Sequence, residues 1–113
     1  MPQIIKLAAG TNAIGLVGHD ITSIGDGRKV VAAAGTRLAL ATSTACKVVI
    51  ITAETDNTGL IVVGGTTVVA ALATRQGTPL QAGDSMVIEI DDLADVYIDS
   101  TVTGDGVTFT YFN

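Results

Sequence analysis

The chain has 113 residues, 48% of them hydrophobic and 15% charged, with a formal net charge of −5. Six Lys and Arg against eleven Asp and Glu give no basic footprint for nucleic acid and no polybasic patch for an anionic membrane. A single Cys and a single His exclude an intrachain disulfide framework, a cysteine-only metal centre and a multi-histidine site.

The length is that of one domain with one core. No apolar run approaches the ~18 residues of a membrane-spanning helix. A mean hydropathy of +0.53 is high for a domain this short, and a lone surface usually carries roughly 25–35% charged residues. The surplus predicts contact with another subunit or a docked partner.

In chain order, MPQIIKLAAG lacks the charged start and long apolar stretch of a secretory signal, so synthesis and folding in a cytoplasm are expected. Ile4-Ile5-Lys6-Leu7 reads as a short strand and Gly10-Thr11-Asn12 as a turn. Glycines at 15, 18 and 25 disfavour a helix over the next stretch, since each costs about 1 kcal/mol in a helix interior. Residues 1–24 are expected to form an N-terminal arm or edge segment and 25–113 the β-sandwich domain. Gly25-Asp26-Gly27 reads as a turn.

From Arg28 an apolar, β-branched run extends to a break at Gly35, and Thr36–Ala41 alternates with Leu38 and Leu40 on one face. Thr42-Ser43-Thr44 is a polar connector. Lys47–Ala53, KVVIITA, is apolar at nearly every position, the pattern of a central strand covered on both faces. Asp56-Asn57-Thr58-Gly59 is a turn, after which Leu60–Val63 returns as its partner strand until Gly64-Gly65. Thr66–Thr74 mixes helix and strand formers and reads as a strand or an irregular excursion, ended by Gln76-Gly77-Thr78-Pro79.

The last third reads as a meander of three strands. Met86, Ile88 and Ile90 oppose Ser85, Val87 and Glu89; Val96 and Ile98 oppose Tyr97 and Asp99; Val107, Phe109 and Tyr111 oppose Thr108, Thr110 and Phe112. Gly83-Asp84, Asp91-Asp92 and Gly104-Asp105-Gly106 supply the turns, glycine by its positive φ and Asp by bonding its own backbone. The whole predicts an all-β domain of seven to nine short antiparallel strands, a β-sandwich or jelly roll.

The groups that invite a chemical reading have plainer ones. Asp91-Asp92-Leu93-Ala94-Asp95, with Glu89 and Asp99 nearby, has oxygen ligands for Mg²⁺ or Ca²⁺, yet it sits between strands, where Asp is turn chemistry. Gly64-Gly65-Thr66-Thr67 lacks the Lys and the helix of a phosphate loop. His19, Asp20 and Ser23 have the residue types of a triad without a nucleophile elbow or an oxyanion loop. Cys46 reads as a small buried hydrophobe. Catalytic residues, cofactor and metal are therefore all expected to be none.

From Thr42 onward, Cys46-Lys47-Val48-Val49-Ile50 is followed by Asn57-Thr58-Gly59, Ile61-Val62-Val63-Gly64-Gly65 and Gly77-Thr78-Pro79-Leu80. Ala82-Gly83-Asp84-Ser85, Ile88-Glu89-Ile90-Asp91-Asp92-Leu93, Val96-Tyr97-Ile98-Asp99 and Gly104-Asp105-Gly106-Val107 complete the order. This resembles a group of small virion structural proteins of tailed bacteriophages. The resemblance implies a capsid or tail component, by size a decoration (cement) protein. Such a protein would be a homotrimer bound to the major capsid protein on the virion, with neither nucleic acid nor membrane as partner. Tail, head-completion and fibre-base roles stand beside it. A small β-sandwich that binds a small ligand or a carbohydrate is a further alternative, although aromatics are only 4% with no Trp. Under the virion reading, Ile4, Ile5, Leu7, Ile14, Leu16 and Val17 are the expected interface residues.

Overall fold

The computed structural model describes residues 20–113. Within them lie eight strands: β1 (Ile24–Val30), β2 (Leu38–Ala39), β3 (Val48–Ala53), β4 (Ile61–Gly64), β5 (Thr78–Leu80), β6 (Ser85–Glu89), β7 (Tyr97–Ser100) and β8 (Gly106–Phe112). They form two four-stranded sheets of order β1-β8-β3-β6 and β2-β7-β4-β5, with every neighbouring pair antiparallel. The chain changes sheet at every connection except β4–β5, which is the interleaved order of a jelly-roll sandwich. The predicted all-β class is observed.

Alternation builds the core. Val49, Ile51 and Ala53 of β3, with Val107 and Phe109 of β8, face Ile61 and Val63 of β4 and Ile98 of β7, and Leu40 and Leu93 close the ends. Each such aliphatic side chain contributes about 1.5–3 kcal/mol when fully buried.

Several local expectations are corrected. Gly25-Asp26-Gly27 is no turn but the middle of β1, pairing with Tyr111, Thr110 and Phe109 of β8. A Cβ at Gly25 would collide with the Tyr111 ring, and one at Gly27 would lie 2.5 Å from Cζ of Phe109. These glycines make room for aromatic rings lying over an edge strand. The final three strands are not a meander: β3 lies between β6 and β8, and β7 belongs to the other sheet. Likewise β4 is not the partner of β3. The connection over residues 54–60 is too long for a tight hairpin, and Asp105 anchors it elsewhere, accepting the N–H of Thr58 (3.2 Å) and of Gly59 (2.8 Å). Asp105 thus joins two loops instead of bonding its own turn. Pro79 lies inside β5, an edge strand, where a missing N–H is tolerated. Gly83 and Gly104 do adopt positive φ, 87° and 95°.

The two sheets differ on their outer faces. Residues 65–77 form the irregular excursion, with a bridge between Val69 and Gln76 and a 3-10 turn at Leu72–Thr74. The excursion lies back over the second sheet, where Val68 and Ala70 pack on Val62 and Tyr97. Arg37 Nη1 donates to Val68 O (3.3 Å) and Arg75 Nε to Ala70 O (2.9 Å). That cover explains why β4 is buried at Ile61, Val62 and Val63 alike. KVVIITA does not have such cover: β3 is central, but Val48, Ile50 and Thr52 on its outer side are only half-buried.

Candidate interaction surface

The register of the first sheet sets the pattern of its outer face. One row across it is Ile24, Phe112, Val48 and Glu89; the next is Asp26, Thr110, Ile50 and Val87; the third is Arg28, Thr108, Thr52 and Ser85. Across the first two rows the apolar residues run as a band from Ile24, 69% exposed, through Phe112, Val48 and Ile50 to Val87, 63% exposed, with Asp26, Thr110 and Glu89 beside it. The third row is polar. Thr52 and Ser85 share a hydroxyl hydrogen bond of 2.7 Å, and the Arg28 guanidinium grips Glu54 through both its Nε and its Nη2. Apolar surface with a polar margin is the composition of a protein contact. The sequence signal for it is the apolar residue at both phases of β3, a pattern shared by strands covered on both faces by their own chain.

The acidic cluster resolves into a loop brace. Asp92 opens the 3-10 turn Leu93–Asp95 as its N-cap. Its carboxylate accepts the N–H of Ala94 (2.9 Å), the N–H of Thr44 (2.9 Å) and the hydroxyl of Ser43 (2.8 Å). These bonds, that of Ala94 foremost, hold the Asp92 carboxyl below its ordinary value of 3.8. A depressed carboxyl stabilises the fold above its unfolded-state value, and the contribution disappears as pH falls through the folded one. The Asp92→Asn chain is accordingly expected to lose less stability than the parent as pH falls below the ordinary carboxyl value of 3.8, read from urea midpoints across an acid series.

Asp99 lies far from this brace in role. It is 1% exposed under the 65–77 excursion, where it accepts backbone N–H groups from Gly35, Ala70 and Ser100. Among the described residues, no three His, Cys, Asp or Glu side chains come together as a metal set. Cys46 is buried and donates its thiol to Ile90 O at 3.1 Å; burial, followed by the charges of Asp92 and Asp91, raises its pKa. Gly64-Gly65 serves as the turn leaving β4, with Val68 N–H on Gly65 O (3.1 Å). Asp20 is exposed 3.9 Å from Lys47 Nζ, and Ser23 bonds Asn113, so the two do not converge on a nucleophile. His19 and the six expected interface residues (Ile4, Ile5, Leu7, Ile14, Leu16 and Val17) lie outside the described residues.

A cleft of about 390 Å³ opens between β6 and the β4–β5 pair, lined chiefly by Met86, Ile88, Ile90, Val63 and Val96. It enters the core where the sandwich is open at its side. No protein-family model, curated protein or solved structure matches the chain.

Proposed function

We propose that this protein is a non-enzymatic structural component of a tailed-phage virion, a capsid decoration protein that acts by surface contact. One observation carries the reading: the chain covers the second sheet with its own excursion while the first sheet keeps the apolar band from Ile24 to Val87. A module whose work is contact needs such a face, and the order of strands and turns from Thr42 onward supports the virion assignment. Homotrimers on the head shell, bound to the major capsid protein, are the form proposed.

The tail, head-completion or fibre-base role is the second virion reading, and position on the particle separates it. The placement of the rings disfavours a carbohydrate platform. Phe109 and Tyr111 face the core, Tyr97 packs under the excursion, and Phe112 is half-buried within the band.

The test is co-sedimentation of the full chain with phage heads, followed by electron cryomicroscopy of the decorated particle. Binding on the shell is expected, and the Ile50→Asp chain is expected to bind at least ~10-fold more weakly, because an unpaired carboxylate is costly to bury in an apolar contact. Binding confined to a tail or vertex assembly would support the second reading. Absence of particle binding by a folded chain overturns both.

A further inference from the structure

The four sheet edges are protected unequally. A sheet edge exposes unpaired N–H and C=O groups, and proteins blunt it with short strands, Pro, charged side chains on the edge or charges aimed inward. β2 is two residues long, and β5 is three residues long and contains Pro79. β1 carries Gly25, Gly27 and, in phase with them on its inward side, Lys29. β6, Ser-Met-Val-Ile-Glu, has five residues, no Pro and no inward-facing charge; its one charged side chain is Glu89, at its end. No other strand among the described residues pairs with its outer side.

The phase of β6 is fixed at both ends of its pairing with β3. Ala53 donates its N–H to Asp84 O (2.9 Å) and Ile90 donates its N–H to Lys47 O (3.2 Å). Between them Met86 and Ile88 bond toward β3, so Ser85, Val87 and Glu89 turn their N–H and C=O groups to the open side. The exposed Val87 stands at the centre of this row.

We propose that the open edge of β6 is a homotypic interface, where two copies of this chain pair β6 antiparallel about a twofold axis through Val87. That register sets Val87 opposite Val87 of the second copy, Ser85 opposite Glu89, and Met86 opposite Ile88. All three residues with free main-chain groups meet partners with free main-chain groups. Outer-face side chains meet outer-face ones, and inner meet inner. No like charges stand opposite each other. An axis through Glu89 opposes two carboxylates, which is destabilising, and one through Ser85 leaves Val87 opposite Gly83. Shifting by a single residue mixes the faces. The second copy's β6 also covers the mouth of the cleft beside Met86 and Ile88, and the joined sheets form one of eight strands. The interface follows from β6 itself and does not rest on the virion reading; because it joins copies in pairs, it would link one proposed trimer to the next and not the protomers within one.

Sedimentation equilibrium of the full 11.4 kDa chain over a concentration series tests it. Reversible self-association is expected. Val87→Lys and Val87→Glu are each expected to weaken it at least ~10-fold by facing like charges across the axis, while their equimolar mixture restores association. Val87→Pro removes an N–H that points away from β3 and is expected to weaken association equally. Unchanged thermal melting of the three variants shows that the fold is retained. A parent monomeric at every concentration overturns the proposal. So does association that the Val87 variants leave intact, or a Lys/Glu mixture that associates no better than either variant alone.

Discussion

Replacing Asp99 by Ala is expected to be among the most damaging single changes, costing about 3–5 kcal/mol. Its carboxylate holds three donors: Gly35 N–H at 3.0 Å and Ser100 N–H at 2.8 Å on Oδ1, and Ala70 N–H at 2.9 Å on Oδ2. Ala leaves the buried amides of Ala70 and Ser100 without this acceptor, and an orphaned buried donor costs about 1–3 kcal/mol. The loss also detaches two loops at once, because Gly35 belongs to the β1–β2 connection and Ala70 to the excursion over the second sheet. Asp99→Asn keeps one acceptor oxygen and is expected to cost less, about 1–3 kcal/mol. Urea unfolding of both variants checks the order. A loss under 1 kcal/mol for Asp99→Ala contradicts the account.

The second large effect lies in the first sheet. Phe109→Ala is expected to cost about 3–5 kcal/mol, the usual range for emptying a buried aromatic position. Gly27→Ala is expected to cost about 1–3 kcal/mol by overpacking, since its Cβ meets the same ring. The two penalties share one cause, so the double variant is expected to be little worse than Phe109→Ala alone, and the coupling in a double-mutant cycle measures the ring-on-glycine contact. Simple additivity would mean that the ring does not lie on Gly27.

What the sequence made legible, and what it did not, follows from which forces act locally. Side-chain alternation is a property of a single strand, so β6, β7 and β8 and the inward faces of Met86, Val107 and Phe109 could be read directly. Pairing is not local. A strand does not encode its neighbour, and so three successive strands suggested a meander although the chain changes sheet between them. Gly25 and Gly27 looked like turn residues because glycine commonly serves turns; their actual reason is an aromatic ring supplied from β8. The bond of Asp92 to Ala94 lies within its own turn and is recognisable there, whereas its bonds to Ser43 and Thr44 are not. Asp99 and Asp105 bond loops distant in sequence, and nothing beside them announces it. The apolar band is illegible in the sequence for a related reason: Val48 and Ile50 signal burial, but a sequence does not say whether the cover is the chain's own loop or another molecule.

The placement of β1 bears on the order of events during synthesis. It pairs only with β8 among the described strands, from Ile24 with Phe112 to Val30 with Gly106, and β8 in turn separates it from β3. The first sheet therefore cannot assemble in order while the chain emerges at about 5–20 residues per second. β3, the most apolar strand, waits beside an empty slot for several seconds until β8 arrives. Long-range pairing of this kind is slow and leaves sticky strands exposed. Folding yield in the cell is thus expected to depend on the arrival of β8, and changes in Gly106–Phe112 are expected to divert the chain into aggregates even where they would barely loosen the finished sandwich.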